Sequence, residues 1–279
     1  MKTVHIRTMT TDDLTLGLRL SRQVGWNQTK ADWLRLLYLG PKGCFAAELD
    51  GFAVGTTTTC VLGHVAWIAM VLVDVDARGK GVATRLLRHA LDYLDDQQVP
   101  TVRLDATPAG RPVYEKLGFQ PEYELARYEG IASHRKAPSI VAKPTPKTYP
   151  DIIELDKKMT GTDRERMLVR LFEEFPHDLR IAEGHTVDGY AATRPGANAI
   201  QIGPCVAKIE VGLALLSDAM DRCRGQSVFV DVVRDNVAAV KLVESAGLRI
   251  QRCFTRMCRG ERVDDNLNAL WASSGPEKG

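Results

Sequence analysis

The sequence predicts an α/β protein made of two tandem domains. Three observations support this: helix-like and strand-like periodicities alternate along the chain, a proline-rich stretch divides it near the middle, and the order of elements repeats on either side. The chain has 279 residues and 44% hydrophobic residues, which allows each half a core of its own. We therefore expect domains at 1–130 and 150–265, a linker at 131–149 and a loose tail at 266–279.

The first half begins with a strand and two helices. Residues 3–9 alternate like a strand, Thr10 to Asp13 supply N-cap chemistry for a helix that reaches about Val24, and a second helix covers Ala31 to Leu39. The turn-forming pair Asp50–Gly51 indicates a hairpin. The predicted elements that follow are strands at 44–49, 52–60 and 65–74, a helix at 81–97, a strand at 101–106, a short helix ending at Gly118, and a strand to about 129.

A linker and a second set of elements follow. Pro138, Pro144, Pro146 and Pro150 disfavour helix and sheet interiors, which predicts the linker. The predicted elements after it are helices at 150–159 and 163–175, strands at 179–183, 187–194 and 199–206, a helix at 209–223, a strand at 227–232, a helix at 237–246, and a strand at 250–258.

The two halves align with each other without gaps over one helix. Residues 78–92 match residues 207–221 mainly at apolar positions, and VRLD at 102–105 matches VFVD at 228–231. Two unrelated α/β domains of similar periodicity are the alternative explanation. The shared order of elements favours duplication.

Composition excludes several classes of partner. Lys and Arg total 37 against 35 for Asp and Glu, so we expect neither nucleic acid nor a membrane surface as partner. The apolar run at 65–73 is too short to span a bilayer. The six cysteines lack C-x-x-C spacing and several lie in apolar runs, which predicts reduced core thiols rather than disulfides. We expect a cytoplasmic protein.

The segment from Val71 to Ala83 carries the strongest chemical signal. It reads as a buried strand, a short loop, and a helix with Gly79 and Gly81 at its start. Free N–H groups at a helix N-terminus form an anion site, and glycines let a phosphate approach the backbone. Arg78 and Lys80 add positive charge. The alternative is a helix start that uses glycine for a turn alone.

This segment resembles the R/Q-x-x-G-x-G/A signature of the GNAT acetyltransferase superfamily, with Arg78, Gly81 and Ala83 at the signature positions. The resemblance implies an α/β (α+β) fold in which each GNAT-like domain has a mixed, mostly antiparallel sheet flanked by helices. It also implies acetyl-CoA as co-substrate, with no metal. The implied cofactor-binding residues are Val71, Leu72, Val73, Arg78, Gly79, Lys80, Gly81, Val82, Ala83 and Thr84. The main chain of Val71 and Val73 would hold the pantetheine arm and polarise the thioester.

Tyr114 begins the sequence Tyr-Glu-Lys-Leu-Gly-Phe, which resembles the family's Y-x-x-x-G-F ending. By that resemblance Tyr114 protonates the leaving thiolate, which a phenol can do because its pKa exceeds that of a thiol. A half-buried packing tyrosine is the alternative. Many members carry Asn seven residues earlier for a pantetheine contact, whereas this chain has Thr107.

The second half departs from the family pattern in a complementary way. Asn236 and Ala239 match the N-x-x-A pattern, yet the tyrosine position is Val243 and Glu210 replaces the glycine of the phosphate loop. A carboxylate and a Cβ there would repel a pyrophosphate. The arrangement resembles tandem acetyltransferases with a degenerate C-terminal domain of the YitH/HolE type.

The acceptor side is less well specified. The segment Gly25 to Thr29 lies where GNAT folds shape the acceptor pocket. The candidate substrate residues are Trp26, Asn27, Asp74 and Asp163. Asp74, His64 and Asp105 are candidate bases, although each also fits a strand end or turn. There are alternative explanations for these residues. Trp26 and Trp33 could belong to the core, and Asp163 could cap a helix or form a surface charge pair.

We expect transfer of acetyl from acetyl-CoA to a primary amine, as a small molecule, by direct attack in a ternary complex. The alternatives are acetylation of a protein amine, or a CoA-binding sensor or scaffold without turnover. Retention of Tyr114 argues against the sensor, because binding alone needs no general acid.

Overall fold

The computed structural model describes residues 4–133, 140–183 and 186–279. Residue 3 of the predicted first strand and residues 134–139 of the predicted linker lie outside this part. The elements of the first half are β1 (Val4–Thr8), α1 (Leu14–Gln23), α2 (Lys30–Leu39), β2 (Cys44–Leu49), β3 (Phe52–Leu62), β4 (Val65–Val73), α3 (Val82–Asp96), β5 (Thr101–Ala106), α4 (Arg111–Glu115) and β6 (Gln120–Ile131).

The second half repeats this order after a short edge strand. Its elements are β7 (Val141–Ala142), α5 (Tyr149–Thr160), α6 (Glu165–Glu174), β8 (Leu179–Glu183), β9 (Val187–Arg194), β10 (Ile200–Ala207), α7 (Ile209–Arg222), β11 (Ser227–Val233), α8 (Val237–Ser245), β12 (Arg249–Gly260) and β13 (Leu270–Ala272). Local signals set the helix starts: Thr10 with Asp13, and Thr29 with Asp32, form reciprocal capping boxes.

All strands of the described chain belong to one mixed, mostly antiparallel sheet. Its order is β1-β2-β3-β4-β5-β12-β6-β11-β10-β9-β8-β7, with β13 paired to β10. The pairs β4–β5 and β10–β11 are parallel. The mixed α/β fold predicted from the sequence is confirmed, with two consecutive halves of similar element order.

Helices cover both faces of the sheet because strand residues alternate between two cores. In β2, Phe45 and Ala47 pack in a core with α3, whereas Cys44 and Ala46 pack in another with α1 and α2. In the second half, α7 and α8 pack on one face and α5 and α6 on the other. The six cysteines are free thiols, as predicted.

The two halves exchange β6 and β12. β6 lies between β12 and β11, pairing antiparallel with both, and β12 lies between β5 and β6. A boundary at residue 130 therefore separates β6 from both of its partners. Periodicity predicts that a strand exists, but it does not specify which distant strand completes its hydrogen bonds.

Buried ion pairs bridge neighbouring strands of this exchange. Arg127 of β6 pairs with Asp231 of β11 at 2.7 Å, and Arg256 of β12 pairs with Asp105 of β5 at 2.8 Å. Arg256 also lies 4.6 Å from the centre of the Trp67 ring. Removing one partner of such a buried pair costs about 3–5 kcal/mol, so a shifted register would be strongly disfavoured.

The prediction of a loose tail is wrong, because residues 267–279 pack against the rest of the protein. A 3-10 turn at Leu267–Ala269 leads into β13, whose Trp271 is 1% exposed and packs on Gly212 of α7. Further on, the Glu277 carboxylate accepts hydrogen bonds from Arg194 at 2.8 Å and Lys278 at 2.6 Å. The buried carboxylate is thus neutralised by its neighbour Lys278 and by Arg194, which is 83 residues away in sequence.

Within the described residues, no helix combines the length and the apolar character needed to cross a membrane.

The strand exchange predicts that neither half folds independently. Residues 1–133 alone leave the β12-facing edge of β5 and both edges of β6 without partners, so we expect aggregation or self-association in size-exclusion chromatography. A protease site inserted between Ser133 and Ile140 provides the control: after cleavage, the two fragments should co-elute at the size of the intact chain. A monomeric 1–133 fragment with cooperative thermal unfolding would contradict this prediction.

Candidate active site

The strands β4 and β5 separate along their length and open a gap in the sheet. Their parallel pairing extends from Val65 opposite Thr101 to Trp67 opposite Arg103. On its other side, β4 shifts register against β3 between Thr56 and Thr58, and Met70 there has φ = 50°. This bulge turns β4 away from β5. The gap leaves main-chain groups of β4 available for a ligand that pairs like an extra strand.

A pocket of about 180 Å³ passes through this gap from one face of the sheet to the other. On the α3 face it is lined by Ala83, Leu87, Leu104, Val113 and Tyr114. On the opposite face it is lined by Trp26, Gln28, Asp105, Arg127, Arg252, Phe254, Pro276 and Glu277. A molecule held in the gap would therefore be accessible from both faces.

The glycine loop lies at the α3 end of this pocket. Gly79 and Gly81 have φ of 74° and 76°, and a Cβ placed on either would meet no atom within 4 Å. The helix α3 starts directly after Gly81, so the N–H groups of its first turn have no intrahelical acceptor. Val71 and Ala83 line the pocket itself. The predicted phosphate loop and the gap therefore form one continuous surface.

The flanking cations of the loop are exposed. Arg78 Nε donates to the Val73 carbonyl at 3.3 Å, and Lys80 Nζ donates to the Asp76 carbonyl at 2.6 Å. Neither forms an ion pair with a carboxylate of the described chain. Their charge is thus available to an anion at the start of α3.

Tyr114 lines the same pocket from α4. Its ring packs edge-on against Phe119 with centroids 6.0 Å apart, and no hydrogen bond of its hydroxyl is found within the described residues. Burial raises the pKa of Tyr114 to about 12, so the phenol stays protonated at neutral pH. Thr107 also lines the pocket, and its hydroxyl accepts from the N–H of Gly110 at 3.3 Å.

Of the three candidate bases, Asp105 lies at the pocket. Arg256 donates to its two oxygens at 2.8 and 2.9 Å. Burial raises the pKa of Asp105, against the opposing effect of Arg256. Asp74 pairs with Arg19, and His64 is exposed in the β3–β4 turn; neither lines the pocket.

The predicted acceptor residues separate into two groups. Trp26 lines the pocket, and Asn27 lies next to it but faces the second half, where its side chain bonds Asn198 N at 2.9 Å and Ala199 O at 3.0 Å. Asn27 therefore fixes the Trp26–Gln28 loop in place. The placement of Asp163 at this pocket is wrong: it packs on Gly63 and pairs with Lys157 at 2.8 Å.

Sequence reasoning missed several residues of the pocket wall. Gln28 lies within the predicted acceptor segment Gly25 to Thr29, although it is not among the named candidates. The others come from β6, β12 and the final segment, and nothing in their local pattern distinguishes them from ordinary strand or tail residues. They are Arg127, Arg252, Phe254, Pro276 and Glu277.

In the second half, the chain itself fills the corresponding gap. β13 pairs with β10 at Cys205 and Val206, beyond the parallel β10–β11 pairing, and Ser273 N donates to Asp231 O at 2.8 Å. Asn236 Nδ2 donates to the carbonyls of Asn268 and Leu270, both at 3.2 Å. Asn236, at the position where the family pattern has a pantetheine contact, thus bonds the main chain before and within β13 instead.

The start of α7 also differs from that of α3. Glu210 is exposed in its first turn, and Val243 is buried where the first half has Tyr114. Among the described residues, no group of three or more His, Cys, Asp or Glu side chains is arranged to hold a metal ion.

Two family profiles match the chain. Residues 10–119 match the acetyltransferase (GNAT) family, and residues 152–272 match an acetyltransferase (GNAT) domain. The uncharacterized N-acetyltransferase YitH of Bacillus subtilis strain 168 is 24% identical over 195 residues, which cover 68% of each chain.

Solved structures with the same fold span nearly the whole chain. A proposed acetyltransferase from Pyrococcus horikoshii has a TM-score of 0.85 and 24% identity, over 99% of this chain and 96% of that one. A tandem GNAT protein from the clavulanic acid biosynthesis pathway has a TM-score of 0.65 and 13% identity, over 94% and 100%.

Proposed function

Because the chain belongs to the GNAT acetyltransferases and is an N-acetyltransferase, we propose that it transfers acetyl from acetyl-CoA to the primary amine of a small molecule. The observation that carries the proposal is the pocket through the sheet. On one face it is lined by Tyr114 and by Ala83, which follows the glycine loop in the first turn of α3; on the other it is lined by polar side chains, Gln28, Asp105, Arg127, Arg252 and Glu277. The donor would enter from the first face and the acceptor from the second.

The fit of acetyl-CoA is supported by the open glycine loop. The missing Cβ atoms of Gly79 and Gly81 leave space for pyrophosphate against the first turn of α3, with Arg78 and Lys80 alongside. The free edge of β4 from Met70 to Val73 would hydrogen-bond the pantetheine arm. That places the thioester in the gap, next to Tyr114.

In the proposed reaction, the amine nitrogen attacks the thioester carbonyl directly. A carbon–nitrogen bond forms, the carbon–sulfur bond breaks, and the thiolate takes the proton of the Tyr114 hydroxyl. N–H groups of the β4 bulge would stabilise the developing oxyanion. Asp105 is the proposed acceptor of the proton that the amine releases, because it lies at the pocket and its pKa is raised by burial. Proton return from the solvent to Tyr114 completes the cycle.

The walls of the acceptor side favour a small molecule over a protein tail. Trp26 of the first half, Phe254 of β12 and Pro276 line it. Two rigid walls around a small volume suit a free metabolite better than an extended peptide. A protein that only sensed acetyl-CoA would not need the protonated phenol of Tyr114 next to the thioester, because binding requires no general acid.

We expect one acetyl-CoA per chain. In the second half, β13 occupies the gap and Glu210 occupies the helix start, so a second cofactor would have to displace part of the core. Isothermal titration calorimetry on protein of known active fraction should give a stoichiometry near one. Two equivalent binding events per chain would contradict this.

Gly81→Glu should weaken acetyl-CoA binding about 100-fold or more, because it places a carboxylate at the pyrophosphate position. The substitution also strains the backbone at φ = 76° by about 1 kcal/mol. Gly51→Glu is the matched control: Gly51 has φ = 82°, open surroundings and a place in the β2–β3 turn. Calorimetry should show normal affinity for Gly51→Glu, and equal affinities for both variants would contradict the proposed loop.

Tyr114→Phe should lower kcat by about 10²–10⁴ with little change in acetyl-CoA affinity, because it removes the general acid and keeps the ring. Tyr93→Phe, another half-buried tyrosine of the first half, is the control and should keep the wild-type rate. Single-turnover measurements isolate the chemical step. A wild-type rate for Tyr114→Phe in that assay would assign Tyr114 to packing.

A further inference from the structure

The acceptor side of the pocket has an unbalanced positive charge. Four charged residues line the pocket: Asp105, Arg127, Arg252 and Glu277. Three of them are neutralised by ion pairs: Asp105 by Arg256, Arg127 by Asp231, and Glu277 by Arg194 and Lys278. These pairs leave the charge of the fourth residue, Arg252, uncompensated.

Arg252 has no carboxylate within ion-pair distance among the described residues. Its Nε donates to the neutral Gln251 side chain at 2.9 Å, and no acceptor of its two terminal nitrogens is found in that part of the chain. It is half-buried opposite Arg127 on the neighbouring strand. The carboxylates of Asp231 and Glu129 act on Arg252 electrostatically, but neither forms an ion pair with it. A half-buried guanidinium beside a second one, without an ion-pair partner, favours the binding of an anion.

A second unpaired polar atom lies on the same wall of the pocket. Gln28 is 7% exposed, and its Oε1 has no hydrogen-bond donor within the described residues. The orientation of the amide follows from Glu277, since Nε2 faces the Glu277 carboxylate at 3.4 Å and a flipped amide would place two oxygens together. A buried carbonyl oxygen without a donor costs about 1–3 kcal/mol, and an ammonium or amine N–H would satisfy it.

We propose that the acceptor carries a carboxylate as well as its primary amine, as an amino acid does. The carboxylate is bound by Arg252, and the amine lies toward Gln28 Oε1 and the gap between β4 and β5. Phe254 and Trp26 supply the apolar wall of the acceptor chamber. This inference rests on the proposed transfer to a small amine and specifies the chemical class of that amine.

The test compares matched acceptors that differ in the carboxylate alone. Release of CoA from acetyl-CoA is followed with a panel of α- and ω-amino acids, each measured beside its carboxamide and its decarboxylated amine. We expect kcat/KM for the best acid to exceed that of its two neutral counterparts by about 10–100-fold, the effect of a charge-assisted pair in a partly buried site.

Arg252→Gln should remove this preference. It should lower kcat/KM for the acid about 10–100-fold, mainly through KM, and leave kcat/KM for the neutral counterparts unchanged. Arg249→Gln is the matched control, since Arg249 is exposed on the same strand and should leave both unchanged. Thermal unfolding checks that each variant is folded, and Arg252→Lys should retain part of the preference if charge is what matters.

Gln28→Leu should lower kcat/KM for the acid and its neutral counterparts by the same factor, because both present the same amine. A loss confined to the acid would contradict the assigned orientation.

Two outcomes overturn the inference and can be told apart. If neutral amines react as well as the acids, and Arg252→Gln is without effect, the carboxylate assignment fails while transfer to a small amine stands. If no amine of the panel releases CoA, although calorimetry shows acetyl-CoA bound, the proposed function fails and the carboxylate assignment fails with it.

Discussion

The rest of the structure depends on the antiparallel pairing of β12 with β5 and of β6 with β11 and β12. Through these ladders the two halves share one hydrogen-bonded sheet, so they cannot move as separate bodies without breaking backbone bonds at its centre. The ion pairs Arg127–Asp231 and Arg256–Asp105 strengthen this restriction, since a slipped register would leave four charges buried without partners. The pocket forms next to these strands, which is why both halves contribute to its wall.

Much of the secondary structure could be predicted from the sequence because its signals are local. Capping at Thr10 and Thr29, the Asp50–Gly51 turn and the apolar period of α3 each depend on residues within a few positions of one another. The glycine loop belongs to the same class, because its geometry follows from positive φ at Gly79 and Gly81. These features do not depend on how the two halves meet.

Trp26 and Asp105 of the acceptor side are predicted from the sequence, but the rest of that side could not be predicted, because it is assembled from residues far apart in sequence. Arg252 and Glu277 belong to a strand and a terminal segment whose local patterns are unremarkable, and their position at the pocket follows from the strand exchange and from the burial of Trp271. Asp163 shows the opposite error: it is a predicted substrate residue, whereas the structure shows the alternative explanation, a capping contact with the Glu165 N–H and a charge pair with Lys157. An acidic residue at a helix start therefore indicates a binding site only when the side chains that surround it in the fold are known.

The exchange also has a consequence for the order in which the newly made chain acquires structure. β6 is complete at Ile131, whereas its partner β11 ends at Val233 and its partner β12 ends at Gly260. The β12-facing edges of β5 and β6 therefore stay open while about another 130 residues are translated. At about 5–20 residues per second this interval lasts on the order of ten seconds. During that time the nascent first half presents open strand edges beside buried-type residues, which are the features that chaperones and misfolded neighbours recognise. The pocket can therefore form only after β12 has been translated, about 130 residues after β6.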